Sequence, residues 1–228
     1  MGIVDLVIFD IAGTTAQDDG LVVRAFQEAI IAEGLQRSSN QLESMTDYVN
    51  ETMGQRKIDV FRTLCNGNQI KAERAHGRFI LNYLEMVRQG ELGEFPGTSD
   101  LFRSLRKMGV GVALTSGFPR RIVDSIISTL EWRGDIDLSV ASDEVENGRP
   151  APDLNLRAIS RYSILRQKEV MPKNVMIVGD TESDMKAGQA AHAQFIVGVT
   201  TGLRTRDELL ANGATHVFVS VREILTLL

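Results

Sequence analysis

The sequence predicts an α/β fold: a parallel sheet covered by helices on both faces, with a helical insertion between its first two strands. Three observations predict it. Short Val- and Ile-rich runs recur along the 228 residues, amphipathic stretches separate them, and one long interval carries helical periodicity without any strand pattern. Strands that alternate with helices form parallel sheets buried on both faces.

The first strand is expected over residues 3–9 (IVDLVIF), ending in Asp10 and a turn at Ala12-Gly13-Thr14. Later strands are expected at residues 110–114, 136–140, 175–178, 195–199 and 216–219. Helical patterns between them cover residues 98–107, 119–129, 153–167, 184–191 and 206–212. The alternation stops early in the chain, where residues 21–34, 51–64 and 70–88 read as amphipathic helices with no strand among them. Residues 18–91 are therefore expected to form a cap domain on a core made of residues 1–17 and 92–228. Hinges fall at residues 17–20 and 90–97, where Asp, Gly and Pro collect.

Composition excludes several function classes. With 25 basic and 30 acidic side chains the net charge is −5, which leaves no electrostatic footprint for nucleic acid or an anionic membrane surface. Cys65 is the one cysteine, so there is neither an intrachain disulfide nor a Cys-rich zinc site, and it is expected to pack as a small apolar residue. No apolar run approaches the roughly 18 residues of a membrane span, and no basic, then apolar leader opens the chain. A reducing cytoplasm is the expected compartment.

Ligands of open α/β sheets bind beyond the carboxyl ends of the strands. Three polar clusters fall there: Asp10; Thr115-Ser116-Gly117; and Asp180 with Asp184 in the run GDTESD. Helix capping is an alternative for any one of them, and an equal one for Thr115 or Ser116 alone. For three converging carboxylates it is a poor explanation. Like charges repel unless a cation neutralises them, and hard oxygen donors suit Mg²⁺.

In these motifs the chain resembles the haloacid dehalogenase superfamily, whose Rossmann-like core carries four short motifs in order. FDIAGT (residues 9–14) matches the nucleophile loop, Leu114-Thr115-Ser116-Gly117 the phosphate-binding motif, Gly148-Arg149-Pro150 the cation-bearing third motif, and residues 179–184 the acidic fourth. The helical insertion sits where a type-one cap belongs. The resemblance implies that Asp10 attacks phosphorus and forms an aspartyl-phosphate. It implies Mg²⁺ held by Asp10, the Ala12 carbonyl, Asp180 and Asp184, charge stabilisation by Arg149, and phosphoryl oxygens held by Thr115 and the amides of Ser116 and Gly117. Thr14, Met53, Gly54, Ser116 and Gly117 are assigned to substrate binding.

Ala12 departs from the usual pattern. Most phosphatases of the superfamily carry there an aspartate that protonates the leaving alkoxide. Asp-x-Ala-Gly-Thr is similar to the loop of phosphonatase (phosphonoacetaldehyde hydrolase), whose substrate has a C–P bond and no bridging oxygen to protonate. That subgroup uses a cap lysine as a Schiff base, and Met53-Gly54-Gln55-Arg56-Lys57 resembles its Met-Gly-x-x-Lys segment. Helical spacing puts Met53, Lys57, Val60, Phe61 and Leu64 on one face, so Lys57 falls in an apolar stripe. Desolvation there would lower its pKa; the alternative is a lysine whose stem covers apolar surface while its head reaches water. Val60 stands where phosphonatase has a histidine, and His76 is expected on the surface of the next cap helix.

The expected activity is therefore Mg²⁺-dependent cleavage of a small aldehyde phosphonate. A small-molecule phosphatase and a non-catalytic phosphate-binding module are the alternatives. The expected substrate is a small phosphonate or phosphate, and the apolar cap helices allow two copies to pair through the cap.

Overall fold

The computed structural model describes residues 4–228; Ile3, with which the first strand is expected to begin, lies outside the described residues. In chain order the elements are β1 (Leu6–Phe9), β2 (Ala16–Gln17), α1 (Leu21–Ala32), α2 (Ser39–Glu51), α3 (Lys57–Leu64), α4 (Gln69–Arg88), β3 (Gly93–Glu94), α5 (Thr98–Lys107), β4 (Gly111–Thr115), α6 (Arg120–Thr129), β5 (Leu138–Val140), α7 (Asp153–Arg166), β6 (Val175–Gly179), α8 (Glu182–Ala190), β7 (Phe195–Val199), α9 (Arg206–Ala211) and β8 (His216–Phe218).

Six strands form one parallel sheet in the order β5-β4-β1-β6-β7-β8. Side chains on a strand alternate between faces, and β1 shows it. Val7 and Phe9 pack into one apolar cluster with Leu101, Phe102 and Trp132, while Leu6 and Ile8 pack into another with Leu154, Ala158 and Tyr162. After β1 the chain continues to β4 on one side and, later, to β6 on the other. β1 is thus the switch point, and the ends of β4, β1 and β6 lie side by side.

The helices α1–α4 leave and return through β2 and β3, which pair as an antiparallel ribbon with Ala16 opposite Glu94. Residues 17–20 and 90–97, the expected hinges, overlap this ribbon. An aromatic cluster centres the helical layer: Phe26 lies 4.6 Å, centroid to centroid, from both Phe61 and Phe79. Such pairs contribute beyond the area they bury.

One expected cap helix is corrected. Residues 51–64 are not continuous: α2 ends at Glu51 and α3 starts at Lys57. Between them Gly54 adopts φ +83°, a left-handed conformation that stops a helix and suits glycine. Met53 therefore lies in the connecting turn and not on a helical face with Lys57. α2 itself starts where the Ser38 hydroxyl caps the Gln41 amide at 3.3 Å.

Candidate active site

The three adjacent strand ends bring Asp10, Ser116 and Asp180 to one crevice. The Asp10 amide donates to the Val178 carbonyl at 2.9 Å, which carries β1 pairing one residue past the strand. Carboxylate oxygens of Asp10, Asp180 and Asp184, all buried, lie within 4.8 Å of one another. Burial pushes Asp180 well above the usual carboxylate range; the charges of Asp10 and Asp184 add to this, and a 2.7 Å hydrogen bond from the Thr14 hydroxyl opposes it. Burial likewise takes Asp10 up to about 6, against the pull of the Arg149 guanidinium and with the push of Asp184. A Cβ on Gly13 would fall 2.5 Å from an Asp180 oxygen, so only glycine admits the carboxylate at that side.

Arg149 is 4% exposed and stands behind this cluster. Its guanidinium pairs with Asp10, reaches Asp184 from Nε at 3.0 Å, and donates from Nη2 to the Thr115 hydroxyl at 2.7 Å. One fork thereby holds the ends of β1, β4 and α8 together, a use of planar donors that lysine could not match. Asp184 also serves as a helix cap. Its Oδ2 accepts from the Thr181 amide at 3.1 Å in a capping box on α8, while Oδ1 faces Arg149. Three buried carboxylates against one guanidinium leave the oxygen cluster short of positive charge. An oxygen-only donor set of this kind fits a hard divalent cation.

The cap contributes its turn and the start of α3. The Lys57 amide donates to the Gly117 carbonyl at 3.3 Å, and Lys57 Nζ sits 5.4 Å from the Phe118 ring centroid. Lys57 is 5% exposed. Burial brings its ammonium down to about 8, although the Asp10 carboxylate pulls the other way. The turn is seated tightly: a Cβ on Gly117 would lie 2.9 Å from the Gly54 carbonyl oxygen, and one on Gly148 2.7 Å from Arg56 Cβ. Arg56 Nη1 donates to the Glu146 carbonyl at 3.0 Å, and Arg204 Nη2 to the Asn50 carbonyl at 3.1 Å, so both ends of the turn are held to the core.

A cavity of about 430 Å³ lies between the two layers. Asp10, Ala12 and Asp180 line its floor, and Met53, Gly54 and Lys57 its roof. Ser116 and Gly117 line its side, whereas Thr115, Thr14, Arg149 and Asp184 stand behind the wall. The Ser116 amide, expected to hold a phosphoryl oxygen, donates instead to the Val140 carbonyl at 3.2 Å because the β4–β5 ladder runs one residue further. Its hydroxyl and the Gly117 amide are what the loop offers. His76 is not a surface residue. It is partly buried, its ring nearly parallel to Phe79 at 6.4 Å, and burial lowers it to about 4.

Sequence reading missed Asp18, Phe118 and Arg204, which also line the cavity, and Tyr83, whose ring lies 4.8 Å from Phe118. The Tyr83 hydroxyl is buried and has no hydrogen-bond partner among the described residues. Asp18 fell inside a segment read as a hinge, and a signal for it existed: a second acidic residue shortly after the nucleophile loop.

A family model of haloacid dehalogenase-like hydrolases matches residues 4–192. A phosphonoacetaldehyde hydrolase of Bacillus cereus is 30% identical over 217 residues, covering 87% of this chain and 76% of that one. Protein CbbY of Rhodobacter capsulatus is 29% identical over 195 residues, 83% of each chain. Among solved structures, a hydrolase from Pseudomonas syringae shares the fold with a TM-score of 0.83 at 22% identity, over 99% of this chain and 97% of that one. No helix among the described residues is long and apolar enough to cross a membrane.

Proposed function

This chain belongs to the haloacid dehalogenase-like hydrolases, and from that premise we propose a Mg²⁺-dependent, phosphonatase-like hydrolase that cleaves the C–P bond of a small aldehyde-bearing phosphonate. One observation carries the proposal: Ala12 and Lys57 line the same cavity, so a site without the usual acid beside the nucleophile has a desolvated amine facing it. The likeness to phosphonoacetaldehyde hydrolase supports the same reading.

The chemistry follows from these positions. Burial lowers Lys57 to about 8, which makes neutral amine more accessible near neutral pH than on an exposed lysine. The amine adds to the aldehyde carbon and water departs, leaving an iminium on Lys57. Asp10 then attacks phosphorus in line. The electron pair of the breaking C–P bond moves into the iminium and gives an enamine, so no oxygen leaving group needs a proton and Ala12 suffices. Arg149 orients the Asp10 carboxylate and offsets its charge, while the Ser116 hydroxyl and Gly117 amide face the phosphoryl oxygens. Asp10, the Ala12 carbonyl, Asp180 and Asp184 would hold Mg²⁺, which when bound offsets the repulsion between anionic nucleophile and anionic substrate. Water finally hydrolyses the aspartyl-phosphate.

The test is borohydride reduction in the presence of phosphonoacetaldehyde, followed by peptide mass analysis. A reduced two-carbon adduct on Lys57 supports the proposal. Unmodified Lys57 under conditions of turnover contradicts it.

A further inference from the structure

Forming an iminium from an amine and an aldehyde needs a group that moves protons at the carbonyl oxygen. The position that bears histidine in phosphonatase is Val60 here, on α3 and buried. His76 does not line the cavity, and neither does the enclosed hydroxyl of Tyr83. Asp10 and Asp180 belong to the oxygen cluster. Asp19 is exposed and accepts from the Gln17 side chain at 3.1 Å.

Asp18 remains. It follows β2 where the chain crosses from core to cap, and it lines the cavity together with Lys57. Each side chain lies in the other's field: the ammonium of Lys57 favours the ionised carboxylate of Asp18, and the carboxylate favours the ammonium. Burial nevertheless raises Asp18 from its ordinary value, a shift in favour of the protonated carboxyl. Its Oδ2 also accepts from the Val22 amide at 3.2 Å in the first turn of α1. Capping alone would explain a carboxylate at that turn, but it does not require one beside a cavity lysine.

We propose that Asp18 is the proton-transfer residue of Lys57 iminium formation, a role that rests on the C–P cleavage reading above. The neutral amine of Lys57 adds to the aldehyde carbon, forming the C–N bond as the carbonyl oxygen gains a proton. Nitrogen loses one proton, the Asp18 carboxyl supplies another, and the hydroxyl leaves as water. Aldehyde, amine and carboxylic acid thus become iminium, water and carboxylate, with charge balanced. After C–P cleavage and protonation of the enamine at carbon, hydrolysis of the product iminium returns the proton to Asp18. The carboxyl missing at position 12 is in this way supplied to the same cavity by Asp18.

Asp18→Asn separates this role from capping, because asparagine caps a helix as well as aspartate but carries no acidic proton. The measurement is the rate of the borohydride-trapped Lys57 adduct with phosphonoacetaldehyde, beside the thermal midpoint of each variant. The expected result is a rate about a hundredfold lower in Asp18→Asn with an unchanged midpoint, and partial recovery in Asp18→Glu. Should Asp18→Asn lose its cooperative transition, Asp18→Ser, which also caps, is measured in its place. Trapping at the wild-type rate in a folded variant overturns the role of Asp18 and leaves Lys57 standing. Absence of an adduct in the wild-type protein overturns the iminium itself, and the role of Asp18 with it.

Discussion

The backbone amide of Lys57 donates to the carbonyl of Gly117 at 3.3 Å, which ties the first residue of a cap helix to the loop that follows β4. The ammonium is thereby held in a desolvated place, and its stability consequence has a definite sign. Folding lowers its pKa from 10.5 to about 8, so the native state binds fewer protons than the unfolded chain between those values. Stability therefore rises with pH from about 8 towards 10.5, and the burial penalty is full below about 8. Lys57→Met is expected to melt at a higher temperature than wild type at pH 7, with the advantage shrinking above pH 8. Thermal melts across pH check this; a lower midpoint at pH 7 contradicts a desolvated ammonium.

The oxygen cluster predicts metal dependence. At a Mg²⁺ concentration a hundred times its Kd, binding to the folded state alone stabilises by about 2.7 kcal/mol. Calorimetry should show this gain in the wild type and its loss in Asp180→Asn, and chelation should abolish turnover. A Mg²⁺ response that survives in Asp180→Asn would place the ion elsewhere.

Arg149 pairs with Asp10 and Asp184 out of solvent. Removing it in Arg149→Met strands two carboxylates, and breaking a buried pair costs about 3–5 kcal/mol. The melting midpoint of the metal-free variant should fall accordingly, and added Mg²⁺ should restore part of the loss. Arg149→Lys keeps the charge but not the fork to Thr115, so kcat should fall even where the fold survives.

Tyr83 makes the opposite prediction from most buried polar residues. Its hydroxyl has no hydrogen-bond partner among the described residues, and an unsatisfied buried group of this kind costs about 1–3 kcal/mol. Tyr83→Phe should therefore leave stability unchanged or raise it, as read from denaturant midpoints. A clear loss would reveal a partner for the hydroxyl.

Gly54 combines φ +83° with close packing against Thr181 and Ser183. Gly54→Ala adds a left-handed penalty of about 1–2 kcal/mol to that crowding. The turn that precedes Lys57 should unseat before the domain unfolds. Steady-state kinetics are expected to show a loss in kcat/KM larger than the small drop in melting temperature implies.

How much of this was legible in the sequence varies by residue. Asp10 and Asp180 were readable because a short apolar run ending in a carboxylate marks a strand end in a parallel sheet, and the sheet order then places both ends together. The helix α2 was not readable: of its thirteen residues only Met45 and Val49 are buried, so it carries too little apolar periodicity. Thr115 and Ser116 are one residue apart at the end of β4, and which one faces the cavity depends on how far the β5 ladder extends. The place of Asp18 depends on the β2–β3 ribbon, which joins residues far apart in the chain and two residues long in each strand. No local pattern announces so short a pairing.

Turnover of phosphonoacetaldehyde, measured beside a panel of phosphate monoesters in wild type and Lys57→Ala, tests the proposed reaction most directly. The expected result is Mg²⁺-dependent release of acetaldehyde and phosphate in equal amounts, lost in Lys57→Ala, with little hydrolysis of the monoesters. Efficient monoester hydrolysis that survives Lys57→Ala, with the phosphonate untouched, would contradict it.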